Sequence, residues 1–301
     1  KLKPIFKDYI WGGNRLHDDY GFETGFDKTA EGWMLACHKD GMNTIDGGKY
    51  DGRELQSVLD EVGLVEVLGK NAEKYPYFPI LIKLIDAYDN LSIQVHPDDK
   101  YAREVENEFV KTEMWYVLDC EPGAYLYYGF DHEISKAEFE ERIKNNTLTE
   151  VLNAVPVHKG DCFFIPSGTL HAICKGIVIA EVQQNSNVTY RVYDYGRVGA
   201  DGKPRALHVA KALDVTLRTP PVKHDFGEHL AQCEYFTVDA RKGTFADAVD
   251  EKSFVSLLVT EGEGTLTCGG ETVSVKKGDS YFLPANSGSY TVQGDCQTLV
   301  T

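Results

Sequence analysis

The sequence contains no run of about 20 apolar residues; its richest stretch, Phe78–Leu84 (FPILIKL), is interrupted by Lys83. A membrane-spanning helix is thereby excluded. Positive charge is also scarce, with 31 Lys and Arg against 47 Asp and Glu, a net of −16. General binding to nucleic acid or to an anionic membrane needs an excess of cations to displace counterions, and there is none. Paired cysteines are missing: the seven, at 37, 120, 162, 174, 233, 268 and 296, are scattered with no CxxC. That argues against both a disulfide framework and a thiolate zinc ribbon. The Gly-rich stretch Gly262–Glu271 (GEGTLTCGGE) is not followed by Gly-Lys-Ser/Thr, so it reads as a hairpin and not a phosphate loop. The opening KLKPIFKDYIWGG has no apolar core of a secretion signal. A soluble, cytoplasmic protein is expected.

What is present is a chain of 301 residues, 42% hydrophobic, enough for one large domain or two ordinary ones. Short β-rich runs dominate: Leu91–His96, Glu113–Leu118, Ala124–Tyr128, Phe163–Ile165, Ile177–Val182, Thr189–Asp194, Phe254–Val259 and Tyr281–Leu283. Turns containing Gly and Pro separate them, the pattern of an antiparallel sandwich or barrel. Helices are fewer. Ser135 with Glu138 forms a capping box and Ile134 with Phe139 a hydrophobic staple; Thr147 and Glu150 repeat the box. Two short helices are predicted over 135–155, and others over Glu54–Leu68 and Ala206–Val215.

One repeat organises the chain. Val157–Pro166 (VHKGDCFFIP) recurs as Val275–Pro284 (VKKGDSYFLP) at an offset of 118. A strand, a Lys-Gly-Asp turn and a proline-ended strand occurring twice imply two similar β-barrels. His171 falls opposite Ser289, so only the first barrel has a histidine there. The paired prolines in Arg218–Asp225 (RTPPVKHD) mark the linker. The predicted division is residues 1–217, with a helical insertion at about 134–155, and residues 218–301.

In Leu91–His96 (LSIQVH) the period of two puts Ser92, Gln94 and His96 on one strand face. The same period pairs Lys111 with Glu113 in KTEMWYV, and His171 follows the proline-ended strand. Gln94, His96, Glu113 and His171 form a possible nitrogen/oxygen metal set without thiolate, suited to zinc, with iron, manganese or cobalt as competitors. A hydrogen-bonded structural histidine is the plainer reading of each one taken singly.

At these residues the chain resembles the short prokaryotic type I mannose-6-phosphate isomerases (phosphomannose isomerases). The matching segments are WGG at 11–13, AEGW at 30–33, LSIQVHPDD at 91–99, KTEMWY at 111–116, VHKGDCFFIPSGTLHAI at 157–173 and EVQQNSNVTYRVYDYGR at 181–197. The resemblance implies a mostly β fold of two cupin-like (jelly-roll) β-barrels with a small helical insertion, the second barrel free of metal. It implies one Zn²⁺ on His96, Glu113, His171 and Gln94, and interconversion of mannose 6-phosphate with fructose 6-phosphate through a cis-enediol. Arg191 falls on the family's catalytic arginine and Lys111 on the lysine beside the metal-binding glutamate. Where the family reads Ser and Glu beside the early tryptophan, this chain has Gly32 and Met34, a departure that bears on substrate preference or activity.

The expected chemistry needs a base, and both Lys111 and Glu181 are candidates. Zinc and desolvation would favour neutral Lys111. Ser92, Lys111 and Arg191 are expected to bind substrate. A phosphate dianion approaching a chain of charge −16 needs local cations within a Debye length of about 8 Å; Arg191, Arg197, Lys203 and Lys100 lie near the motifs. Tyr193 and Tyr195 either line the sugar site or pack in the core. The competing readings are a non-catalytic sugar-phosphate-binding cupin and an iron cupin oxygenase. The expected state is a monomer or weak homodimer.

Overall fold

A computed structural model of the chain describes residues 1–106, 111–199 and 202–301. The protein is mostly β. Three antiparallel sheets account for nearly all the strands. One has six strands in the order Cys162–Ile165, Glu113–Cys120, Ile177–Gln184, Ile80–Ala87, Glu31–Leu35 and Ile5–Lys7; another has five, in the order Leu152–Pro156, Tyr125–Phe130, His171–Ile173, Ile93–Val95 and Tyr190–Tyr193. These two face each other across a core holding Ile85, Trp115, Val117, Leu126, Ile173 and Ile179.

Every residue of Ile80–Ala87 and of Ile177–Gln184 is buried. Alternate side chains explain this. Lys83, Ile85, Ile179 and Glu181 point between the two sheets, whereas Ile82, Leu84, Val178 and Ala180 point the other way into a second core. That second core includes Leu258 and Leu299 of a nine-stranded C-terminal sheet and the helix residues Leu55, Leu59 and Leu68. A central sheet covered on both faces can carry a continuous apolar run, and any charge on it is there under constraint.

The five-stranded sheet turns its outer face, with Ile93, Val95, Ala172 and Val192, to the helices. Ser135 caps Lys136–Lys144, its hydroxyl accepting from the Glu138 N–H at 3.0 Å, and Phe139 and Ile143 are buried beneath it. The second predicted helix is a single 3₁₀ turn, Leu148–Val151, to which Thr147 gives no side-chain cap; Leu152–Pro156 is already strand. Glu54–Leu68 divides into Leu55–Val62 and Leu64–Leu68 at Gly63, whose φ of 111° no helix tolerates.

The internal repeat is reproduced hydrogen bond by hydrogen bond. His158 N–H donates to Asp161 Oδ2 at 2.7 Å and Lys276 N–H to Asp279 Oδ2 at 3.1 Å. Gly160 N–H reaches Val117 O, and Gly278 N–H reaches Val259 O, both at 2.8 Å. Both glycines have φ near 90°, which is why the Lys-Gly-Asp turn retains glycine. The C-terminal sheet is not confined to residues 218–301, because Leu2 pairs with both Ser280 and Ile45. Gly262–Glu271 is a hairpin turning at Gly269 and Gly270, and all seven cysteines are free. No helix among the described residues is long and apolar enough to cross a membrane.

Candidate metal centre and cleft

Ile93 and Val95 are anchored under the helices, so the alternation of LSIQVH directs Ser92, Gln94 and His96 between the sheets. Cross-strand register then assembles a row. Gln94 lies opposite His171 on one side and Arg191 on the other. The facing six-stranded sheet contributes Glu113, with Gln183 opposite it, and Glu181 between Lys83 and Trp115.

His96, Glu113 and His171 meet. His96 Nε2 is 3.5 Å from Glu113 Oε2, and His171 Nε2 is 3.3 Å from Glu113 Oε1. These are the separations that ligands about 2.0–2.2 Å from a shared tetrahedral ion adopt. All three side chains are buried, 1% exposed or less, yet His96 Nε2 and Glu113 Oε1 have no hydrogen-bond partner, and Glu113 Oε2 meets only the Lys111 ammonium among the described residues. Each imidazole is held from behind, His96 Nδ1 against Val188 O at 2.9 Å and His171 Nδ1 against Thr169 O at 2.8 Å. Bonded that way the Nδ1 atoms carry the protons and the Nε2 lone pairs face Glu113. Burial and Lys111 push the His96 pKa down to about 4, and burial lowers that of His171. Burial alone would raise Glu113, but Lys111 and His96 hold it well below the usual carboxylate range. Neutral imidazoles and an ionised carboxylate are what a divalent cation requires. The Gln94 amide nitrogen lies 3.4 Å from His171 Nε2, and a half-turn of the amide presents its oxygen at the same place.

Beside the triad lies a cleft of about 280 Å³. The triad itself does not line it; Gln94 and Lys111, which contact the triad, do. Lys111 Nζ is 2.6 Å from Glu113 Oε2 and 3.6 Å from Glu181 Oε1. Lys111 is buried, as the desolvation argument requires, and lies between two carboxylates. Ser92, Glu181 and Arg191 also line the cleft. Of the other proposed phosphate cations, Arg197, Lys203 and Lys100 are not in the cleft wall, whereas Arg205 is. Tyr193 and Tyr195 pack with the helix-side core. Gly32 faces Phe6, and Met34 is buried in the core shared with the C-terminal sheet, so the departure beside the early tryptophan points away from the cleft.

Lys83 and Glu31 are cleft residues that the sequence reading did not single out. Lys83 Nζ is 3.3 Å from Glu181 Oε1 and 3.6 Å from Glu31 Oε2. Indole N–H groups hold both carboxylates, Trp33 donating to the same Glu31 oxygen at 2.6 Å and Trp115 to the other Glu181 oxygen, Oε2, at 3.1 Å. Burial works against the Lys83 charge, but Glu31 and Glu181 keep its pKa above the ordinary value. The available signal was a lysine inside FPILIKL, a charge where the neighbours are all core. Lys83→Met removes the only cation paired with Glu31 among the described residues and strands buried carboxylates. It is expected to lower unfolding stability by about 3–5 kcal/mol; a denaturant midpoint unchanged from wild type would refute this.

Facing β-sheets with a buried imidazole–carboxylate group between them place the chain among the cupins. Two family models match it: phosphomannose isomerase type I, catalytic domain, over residues 1–125, and mannose-6-phosphate isomerase, cupin domain, over residues 227–301. The chain is 38% identical over 313 residues to a putative mannose-6-phosphate isomerase of Bacillus subtilis, covering all of this chain and 97% of that one. The crystal structure of the mannose 6-phosphate isomerase from Bacillus subtilis matches with a TM-score of 0.92 at 38% identity, over 99% of this chain and 98% of that one. A zinc-bound mannose 6-phosphate isomerase shares the fold at 18% identity, with a TM-score of 0.78 over 100% and 98% of the two chains. The chain belongs to the type I mannose-6-phosphate isomerase family.

Proposed function

We propose that the protein interconverts mannose 6-phosphate and fructose 6-phosphate through a cis-enediol, with one Zn²⁺ held by His96, Glu113, His171 and Gln94. The observation that carries this reading is the convergence of two buried, unpartnered ligand atoms, His96 Nε2 and Glu113 Oε1, with His171 Nε2 beside a cation-lined cleft. The zinc-bound fold relative favours zinc over the other divalent ions that such ligands accept. When bound, zinc supplies Lewis-acid stabilisation of the charge that develops on the enediolate oxygens, worth several kcal/mol.

The chain's own residues do the rest. Isomerisation moves the C2 proton of the aldose to C1, and Lys111 and Glu181, 3.6 Å apart, form the acid–base pair that takes and returns it. Lys83 and the Trp115 N–H fix the Glu181 carboxylate for that transfer. Arg191, with its guanidinium on Ala206 O at 2.9 Å and its Nε unpartnered, binds substrate oxygens, and Ser92 donates a hydrogen bond. In this reading residues 1–217 carry the chemistry, and residues 218–301 back the six-stranded sheet that positions it. Free cysteines throughout fit a reducing compartment, the cytoplasm.

The test is conversion of mannose 6-phosphate before and after chelation, with zinc restored. Turnover is expected to disappear with the chelator and return with zinc. No conversion by the zinc-loaded protein would replace the isomerase with a sugar-phosphate-binding cupin.

A further inference from the structure

Four cations and two carboxylates line the cleft: Lys83, Lys111, Arg191 and Arg205 against Glu31 and Glu181. They are not evenly spread. Lys83 and Lys111 are tied to Glu31, Glu181 and Glu113 at the deep end. The surplus of positive charge therefore sits with Arg191 and Arg205. Arg205 is held in a fork, Nε donating to Asp194 Oδ2 at 2.7 Å and Nη2 to Asp194 Oδ1 at 2.5 Å. Its Nη1 has no protein partner among the described residues. Asp194 is itself buried and shared, since Arg197 Nη2 donates to its Oδ1 at 2.6 Å. Arg197 Nη1 also reaches Asp89 Oδ2 at 3.5 Å, so the three guanidinium groups of Arg191, Arg197 and Arg205 face two carboxylates, which leaves a net positive charge beside the cleft.

The local backbone is shaped for this arrangement. Asp194 and Arg197 are the ends of a turn closed by Arg197 N–H on Asp194 O at 3.0 Å, with Tyr195 forced to a φ of 58°. A bulky residue in the left-handed region costs energy that the surroundings must offset. Arg197 also donates through Nη1 to Asn90 O, in the loop that leads into the strand of Gln94 and His96. The clamp thus ties the Arg205 segment to the metal-bearing strand. Burial and the neighbouring Arg205 both work against the Arg191 charge, an unfavourable pairing that a bound dianion would relieve.

We propose that Arg205 is a second phosphate-binding cation beside Arg191, and that Asp194 is the residue that positions it. The sugar then lies with its phosphate at the Arg191–Arg205 end and its carbonyl end toward Lys111, Glu181 and the triad. This rests on the isomerase reading above and specifies which end of the substrate goes where. A charge-assisted hydrogen bond to a dianion that is largely removed from water is strong, and its loss falls on binding more than on proton transfer.

The experiment compares Arg205→Gln, Arg205→Lys and Asp194→Asn with wild type as full-length, zinc-loaded protein. It reads kcat and KM for mannose 6-phosphate and the inhibition constant of inorganic phosphate. Arg205→Gln is expected to raise both KM and the phosphate constant about 10- to 100-fold, with kcat within about threefold. Arg205→Lys recovers part of the loss, because charge returns without the fork. Asp194→Asn shifts both constants the same way by a smaller factor. An Asp194→Asn protein with a lower melting temperature and lower kcat but unchanged KM would reduce that residue to a purely structural role and overturn its positioning one. Arg205→Gln with both constants within twofold of wild type would overturn the phosphate assignment. Should wild type show no turnover, the isomerase reading falls, and calorimetric binding of fructose 6-phosphate to wild type and Arg205→Gln still decides the Arg205 assignment.

Discussion

His171→Ala is expected to yield protein that holds no stoichiometric zinc and has lost turnover by about a thousandfold or more, the scale on which electrophilic stabilisation acts. His171 is fully buried, its Nδ1 is engaged by Thr169 O, and its Nε2 faces Glu113 Oε1 at 3.3 Å. Alanine leaves His96 and Glu113 facing a gap beside the Trp115 ring, whose centroid lies 5.3 Å from that of the imidazole. Two strong ligands do not close a tetrahedral zinc site. Metal analysis of the dialysed protein and assay of mannose 6-phosphate conversion check the two halves together. Full zinc content with wild-type turnover would eliminate the metal centre as the seat of the reaction.

Arg191→Ala should separate metal from chemistry. Arg191 stands opposite Gln94 in the strand register but contacts none of the triad, so zinc content is expected to equal that of wild type. Turnover is expected to fall by about 10²–10⁴ in kcat/KM, because a forked cation aimed at developing oxyanion charge stabilises the transition state directly. Arg191→Lys should restore only a fraction, since a single ammonium cannot reproduce two fixed donor directions. Near-normal kcat/KM in Arg191→Ala would remove Arg191 from the reaction. The pair of variants is diagnostic: one loses metal and activity, the other activity alone.

Much of this site is legible along the chain because strands have a period of two. LSIQVH and KTEMWYV each present their polar residues on one face, and the duplicated Lys-Gly-Asp turn shows where His171 follows the proline-ended strand. The N-cap at Ser135 is equally local, a hydroxyl and an N–H three residues apart. Local reading fails where the deciding partner is distant. The break at Gly63 depends on a backbone angle, and the strand Leu152–Pro156 is set by its pairing with Tyr125–Phe130. Lys83 looks like an interruption of an apolar run until Glu31 and Glu181 appear across neighbouring strands.

By itself the sequence determined the β class, the repeat, the segregation of polar residues to one face of each strand and the family resemblance. All of these are encoded in periodicity, turn chemistry and contiguous motifs. Tertiary structure alone decided that the faces of two sheets meet at Glu113, that Lys111 lies between two carboxylates, and that Gly32 and Met34 turn away from the cleft. It also decided that Arg205 lines the cleft and that Arg197, Lys203 and Lys100 do not. The physical reason is that ion pairing and burial depend on distances between residues far apart in the chain. Those distances are set by sheet register and by which faces the second core covers, and no local pattern records either.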